Sequence, residues 1–391
     1  MSGTALTALR VAGHVALARL RRPRVTRAEE TPWSVAALTP AWWTAVMCAA
    51  HPAAEVLDFT QVGASSGTHQ RHRFTLRYNQ AGHDAQLPTA VFTKSLPTVV
   101  NRMIGGYNGT ARAEGRFYRE IRRELRIESP HGYFSAFDRR TLAGINVLED
   151  VATTRGVRFC DHLTPVTRAM AESMVDLLAA LHAHALDDAR LRGAWRWLAN
   201  FADWFEIGAR KMDTERYTAM ALRRMADTLP ARLLGRAREV WPATVAASTL
   251  HRGTAVGLIH SDVHIGNWYQ TPKGAMGLYD WQCVAQGHGA RDLAYALAAA
   301  LAPADRRAWE RDLVTRYADG LAAHSGRPCD RELLWRHYRG QMLHALWMWT
   351  ITLCHSPLLP AMQPEATSRA MIERIALAID DLDSLDAARG A

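Results

Sequence analysis

Cysteine is scarce in this chain: five in 391 residues, at Cys48, Cys160, Cys283, Cys329 and Cys354. They are odd in number, scattered, and form no Cys-x-x-Cys pair. That excludes a disulfide framework and a zinc ribbon, and predicts free thiols in a reducing cytoplasm. No apolar run is long enough to cross a bilayer, so integral membrane association is not expected. The Gly-x4-Gly-Lys-Ser/Thr pattern is absent, which leaves a P-loop fold unsupported. No aromatic-plus-basic signature of RNA binding occurs, so nucleic acid is not expected as a partner. Internal repeats and low-complexity linkers are also missing. Residues 4–20 are rich in Ala, Leu and Val, but Arg10, His14 and Arg19 interrupt them and Arg21, Arg22, Arg24 and Arg27 follow. A secretory signal carries its positive charge before the apolar run, so this order argues against export. An amphipathic helix packed on the protein is expected, rather than a membrane-surface contact.

What is present is the composition of a globular protein, 48% hydrophobic and 22% charged, long enough for one two-lobed domain or two intimately packed ones. The net charge of +9 comes mostly from arginines dispersed among acidic neighbours, as in Arg119-Glu120-Ile121-Arg122-Arg123-Glu124. Such a balance suits anionic nucleotide phosphates and disfavours a polycationic substrate.

The N-terminal half reads as strands. A helix over 38–51, started by Thr39-Pro40, precedes a strand over 55–62 and the small-residue segment Gly63-Ala64-Ser65-Ser66-Gly67-Thr68. Residues 71–78 alternate polar and apolar, and a further strand over 87–94 ends Val91-Phe92-Thr93-Lys94. A strand–small-residue loop–strand unit can lay backbone N–H groups over phosphates, which makes Ser65, Ser66, Gly67 and Thr68 candidates. Residues 105–109 break the chain, and 110–127 read as a helix whose Glu114 shares a face with Phe117, Tyr118, Ile121 and Leu125. A buried acid there needs a partner, and Lys94 is the natural one. Hairpin strands 133–137 and 144–148 lead to Glu149-Asp150-Val151, after which the composition turns helical. A long helix begins at Thr164-Pro165, and its stripe of Met170, Met174, Leu177, Leu178 and Leu181 is core. The expected organisation is α+β: a basic helical extension (1–36), a β-rich N-lobe (37–151) and a larger helical C-lobe (152–391).

The most informative segment is Leu258-Ile259-His260-Ser261-Asp262-Val263-His264-Ile265-Gly266-Asn267, followed by a short hairpin and Tyr279-Asp280-Trp281. Strands over 268–271 and 276–279 around Pro272-Lys273-Gly274 would put Asn267 and Asp280 at one end. Phosphoryl transfer needs a group to orient and deprotonate a hydroxyl, and oxygen ligands for Mg²⁺ on the phosphates. Asp262 fits the first task; Asn267 and Asp280 fit the second. His260 would brace the loop, and the three oxygen-bearing side chains are expected to face one ligand.

Together with Glu114-Gly115-Arg116-Phe117-Tyr118, Leu178-Ala179-Ala180-Leu181-His182 and Arg291-Asp292-Leu293-Ala294, these segments resemble the aminoglycoside phosphotransferase and choline kinase superfamily. Within it the ecdysteroid kinase-like branch and its bacterial relatives are most similar, over roughly residues 39–301. The resemblance implies a protein kinase-like bilobal fold and transfer of the γ-phosphate of ATP, or GTP, to a hydroxyl of a small acceptor. It implies that Lys94 contacts the α/β-phosphates, anchored by Glu114. The backbone of Leu148, Glu149, Asp150 and Val151 would form the adenine hinge. Asp262 would be the base, Asn267 and Asp280 the Mg²⁺ ligands, and Asp292 a structural brace. Many relatives carry Gly where Ser261 stands and Pro in place of Ile265.

Two other readings compete. His260-x-Asp262-x-His264 could ligate a metal in a hydrolase, and a kinase fold can persist as a catalytically silent binding protein. For the acceptor, most of the aromatic groups Trp195, Trp197, Phe201, Trp204, Phe205 and Trp335, Tyr338, Trp347, Trp349 read as core, and the surplus could line a pocket for a neutral or apolar molecule. The acidic run Asp380-Asp381-Leu382-Asp383 points instead to an amino sugar.

Overall fold

The computed structural model describes residues 3–252, 254, 256–357 and 361–389, with Ser66 described at its backbone alone, so that its side chain lies outside the described residues. The chain divides into two compact units. One comprises Met1–Leu125, Ser129–Val157 and Asp280–Cys283; the other comprises Arg126–Glu128, Arg158–Tyr279 and Val284–Ala391.

The first unit is built on an antiparallel five-stranded sheet of β1 (Val56–Ser66), β2 (Gln70–Tyr78), β3 (Ala90–Ser95), β4 (Gly132–Phe137) and β5 (Gly144–Glu149) in the order β1-β2-β3-β5-β4. The alternation on β2 is realised: His72, Phe74, Leu76 and Tyr78 are buried. On one face Phe74, Leu76 and Tyr78 meet Trp42 and Trp43 from the helix Pro40–Met47, together with Val56, Val91, Ile145 and Val147. Thr39 caps that helix through its side chain, as its position before Pro40 predicts. The helix Gly3–Arg21 packs Val11 and Val15 with Leu142.

Two sequence expectations change here. β1 continues through the small-residue segment, because Ser65 pairs with Arg71 and Ser66 with Gln70. The turn is reduced to Gly67, Thr68 and His69. The break expected over 105–109 narrows to Asn108 and Gly109, where Gly109 takes φ +80° ahead of a helix that starts at Thr110 as expected. Helical structure begins at Val99, capped by Thr98, and runs as a π-helical turn over Arg102–Tyr107. Gly106 is needed there for close approach, since a Cβ would sit 2.9 Å from Leu142. The next helix, Thr110–Arg116, passes into a π-turn at Phe117–Ile121 and a 3₁₀ turn at Arg122–Glu124, ending short of residue 127.

The second unit is mostly helical. Its strands are β6 (Arg158–Phe159), β7 (Gly257–Ile259), β8 (Trp268–Gln270), β9 (Met276–Leu278) and β10 (Ala285–Gly287), arranged as β6-β8-β9 and β7-β10. The helix Ala290–Ala300 has every residue buried, and its small side chains let Arg331–Leu353 pack closely on it. The stripe of Met170, Met174, Leu177, Leu178 and Leu181 is core. Its helix starts at Arg168 with Thr167 as cap. The Thr164 hydroxyl is instead spent closing a turn on Asp161. The first unit extends to Val157, past the division expected at residue 151. Arg155 reaches back to Glu149, and Thr153 to Asp150, which ties the short helix Val151–Arg155 to β5.

Candidate active site

In the first unit, the sheet register sets Arg71, Lys94 and Asn146 side by side on β2, β3 and β5. Directly opposed residues on neighbouring strands share a face. On that face the Lys94 ammonium lies 2.8 Å from Glu114 Oε1 and 2.8 Å from Asp280 Oδ1. Glu114 is fully buried and Lys94 is 3% exposed. Asn146 donates to Glu114 Oε2 at 3.1 Å. Gly115 makes this packing possible, because a Cβ there would overlap Ser135 Oγ at 2.0 Å. The expected Lys94–Glu114 pair is therefore present, and Asp280 joins it.

Asp280 has φ +66°, a left-handed conformation uncommon for residues other than glycine. Its neighbour fixes it: Trp281 stacks on Phe117 with centroids 4.0 Å apart and donates to Ser129 Oγ at 2.9 Å. Burial pushes the Asp280 carboxyl up, but Lys94 and then Arg71 outweigh it and hold the group well below the usual carboxylate range. Burial pulls Lys94 down, and the two carboxylates more than restore it. For Glu114 burial prevails over Lys94, and its pKa is raised. Sequence reasoning missed Arg71, 3.5 Å from Asp280, and also Asn146. It missed His69, buried to 1%, whose pKa burial lowers to about 3. None of these carries a motif signal; the strand register reveals Arg71 and Asn146, and the turn between β1 and β2 places His69.

The other first-unit candidates are placed as follows. Ser65 and Ser66 pair along β1, and the Gly67 N–H donates to His69 O at 3.0 Å. Asn101 pins the turn through the carbonyls of Gly67 and Thr68. The segment is thus a tight strand turn rather than an open loop. Leu148 and Val151 are buried. Glu149 binds Arg155, Thr154 and the His131 N–H, while Asp150 binds Arg73 at 2.8 Å.

In the second unit, Asp292 accepts the backbone N–H of His260 at 2.7 Å and that of Ser261 at 3.0 Å. These bonds hold Ser261 at φ +69°. His182 Nε2 lies 3.3 Å from the same carboxylate, with Nδ1 2.7 Å from Tyr317 Oη. His260 Nε2 donates to Tyr279 O at 2.9 Å and Nδ1 accepts the Asp262 N–H at 3.3 Å. Asn267 Nδ2 donates to Asp262 O at 2.7 Å, so the amide braces the loop and keeps its oxygen for another partner. The hairpin is as expected: Trp268 opposes Leu278, and the Tyr279 N–H donates to Asn267 O at 3.0 Å. The Asp262 carboxylate accepts only a 3.4 Å contact from Tyr295 Oη, with His264 Nε2 at 3.9 Å. It is ionisable, reachable, and otherwise unengaged by side chains at hydrogen-bond distance among the described residues.

The structure thus groups Lys94, Glu114 and Asp280 in one unit and Asp262, Asn267 and Asp292 in the other. With both ring nitrogens of His260 used by backbone, the His260/Asp262/His264 metal set loses a ligand.

The phosphotransferase enzyme family model matches residues 105–335, more than half of the chain. The chain belongs to that family. The match contains Glu114, Asp262, Asn267, Asp280 and Asp292; Lys94 and the turn at Gly67 precede it. No curated protein matches the chain. Among solved structures, it is similar to the choline kinase LicA from Streptococcus pneumoniae, at 14% identity over 84% of this chain and 94% of that one, with TM-score 0.42. It is likewise similar to the macrolide 2′-phosphotransferase MphH from Brachybacterium faecium, at 16% identity over 85% and 98%, with TM-score 0.42. For aminoglycoside 2′-phosphotransferase-IIIa in its GDP complex the identity is 9% over 88% and 99%, with TM-score 0.47.

In this phosphotransferase-family chain the acidic run is already neutralised: Arg232 takes Asp380 and Asp383, and Arg306 and Arg307 take Asp381. Much of the aromatic set is core, with Phe201, Phe205 and Trp347 packed around Ile259 and Ala285. Trp204 remains 37% exposed. Among the described residues no helix is long and apolar enough to cross a membrane.

Proposed function

We propose that the chain transfers the γ-phosphate of ATP or GTP to a hydroxyl of a small, neutral acceptor, with Mg²⁺ on the nucleotide. The observation that carries this reading is the buried Lys94 shared by Glu114 and Asp280. An ammonium has three N–H donors. Two are used here, and the third is left for a phosphate oxygen, with the lysine held rigidly by the buried acid. Lys94 is one of only three lysines among 47 basic residues, and a compact ammonium suits this enclosed position better than a guanidinium fork.

Asp262 would orient the acceptor hydroxyl and take its proton. The hydroxyl oxygen forms the new bond to the γ-phosphorus, the bond from that phosphorus to the β,γ-bridging oxygen breaks, and the nucleoside diphosphate leaves with the electron pair. Asn267 Oδ1 and the Asp280 carboxylate, a hard neutral-plus-anionic oxygen set, fit Mg²⁺, which would neutralise phosphate charge. Most of the rate would come from positioning and charge neutralisation by Lys94 and its partners. The paired acidic run favours a neutral acceptor over an amino sugar, since no carboxylate there is left to receive a cation.

Diphosphate release measured across a panel of hydroxylated neutral metabolites, macrolides and aminoglycosides tests the reading. Acceptor-dependent release by the wild type, abolished in Asp262→Ala with nucleotide affinity nearly unchanged, is expected. Nucleotide binding without release for any acceptor would favour a silent binding protein. Wild-type turnover in Asp262→Ala would remove the assigned base.

A further inference from the structure

Three histidines of the second unit, remote in sequence from one another, converge outside the residues assigned above. His251 follows the helix Ala237–Thr249, His288 precedes Ala290–Ala300, and His337 lies on Arg331–Leu353. One ring nitrogen from each lies within 4.8 Å of the others. Ring centroids are 3.8 Å apart for His251 and His288, 4.5 Å for His251 and His337, and 5.0 Å for His288 and His337. His251 is 6% exposed. Neither of its ring nitrogens has a hydrogen-bond partner among the described residues, and Nδ1 of His337 has none. Buried polar atoms are normally paired, and leaving them unpaired destabilises a fold. Three imidazoles at one point supply the donor set that first-row cations with a preference for nitrogen take up.

We propose that His251, His288 and His337 form a three-histidine site for Zn²⁺, distinct from the Mg²⁺ ligands and independent of the phosphotransfer reading. Tetrahedral zinc with bonds of about 2.0–2.1 Å needs ligand nitrogens about 3.3 Å apart. The rings therefore close in slightly, and the near-parallel stack of His251 on His288 (10°) opens so that each lone pair aims at the ion. His288 Nδ1 accepts the Ala290 N–H at 3.2 Å, a contact that binding through the other ring nitrogen would keep. Around the rings, Asp330 favours a cation near His337, whereas Arg336, Arg291 and His182 oppose one. Burial holds the three rings below the usual imidazole range and therefore neutral, the form that binds metal. Three protein ligands leave a fourth position for water.

The location suggests a holding role rather than chemistry. His251 leads into β7, which pairs with β10, and His288 directly follows β10. Asp292, on the helix that His288 precedes, is the residue that grips the His260 and Ser261 backbone. Zinc would tie the ends of this strand pair to the helix Arg331–Leu353 and so stiffen the base of the Asp262 loop.

The test uses the tag-free full chain, stripped with chelator and titrated with zinc chloride by calorimetry, with zinc content measured after gel filtration and thermal unfolding followed in parallel. Expected are one zinc per chain, a raised Tm, and no comparable binding of magnesium chloride. His337→Ala, which removes a half-buried ring on a long helix, should weaken zinc binding about 100-fold or more and abolish the Tm rise. His251→Gln should do the same, and Asp262→Ala and Asp280→Asn should bind as the wild type does. No stoichiometric zinc in the wild type, or wild-type binding by folded His337→Ala, overturns the proposal.

Discussion

Replacing Lys94 by methionine should be far more damaging to the first unit than replacing Glu114 by glutamine, although both break the same ion pair. In Lys94→Met two buried carboxylates lose their shared cation. Glu114 keeps only the Asn146 amide, and Asp280 keeps Arg71 at 3.5 Å, a side chain 31% exposed and correspondingly screened. Breaking a buried pair from one side costs about 3–5 kcal/mol. In Glu114→Gln the volume is kept, Lys94 retains Asp280 at 2.8 Å, and the glutamine carbonyl can still accept from the ammonium. The raised pKa of Glu114 means its charged form is already disfavoured by burial, so neutralising it costs only about 1–2 kcal/mol. Native-state hydrogen exchange at the β3 and β5 amides reads this difference within one unit, where whole-chain melting would mix two. At about 1.4 kcal/mol per tenfold, exchange should accelerate about 140- to 3700-fold in Lys94→Met and about 5- to 30-fold in Glu114→Gln. Equal acceleration, or the reverse order, would refute the claim that one cation serves both acids.

Asp292→Ala removes the acceptor of two short bonds to buried backbone N–H groups; at about 1–3 kcal/mol for each orphaned donor, it should lower the Tm measurably and cut turnover while leaving KM for nucleotide little changed. Acid should act through Asp280. Its depressed pKa means that its stabilising contribution is complete above about pH 4, the unfolded value, and is lost as pH falls through the lower folded value. Glu114, with a raised pKa, has the opposite sign: its protonation favours the folded state as pH falls. Exchange at β3 followed between pH 6 and 3 should therefore show a loss of protection confined to the acid end, and Asp280→Asn should flatten it.

The sequence predicted the elements that carry a strong local signal. The β2 alternation, the Thr39 cap, the 268–279 hairpin and the Lys94–Glu114 pair rest on periodicity, capping chemistry or the need of a buried acid for a cation, and the structure has them. What it could not convey depends on register and on where side-chain donors are spent. Nothing local shows that Ser65 and Ser66 continue β1, that the Thr164 hydroxyl closes a turn instead of capping a helix, or that Asp380, Asp381 and Asp383 already have arginine partners. Arg71 and Asn146 reach the Lys94 cluster only through strand pairing, and His69 comes to it from the turn between β1 and β2. The convergence of His251, His288 and His337, spread over 87 positions of the chain, has no local pattern at all.

The bond from Asn267 Nδ2 to the Asp262 carbonyl explains why position 267 calls for an amide and not an acid. A carboxylate there would offer an equally good oxygen to a hard cation, yet it would set its own negative charge against that carbonyl in place of a donor. In the proposed site the side chain would have a different task at each end: one tip secures the turn that carries Asp262, and the other would serve an ion. An aspartate would take on the second task only by undoing the first.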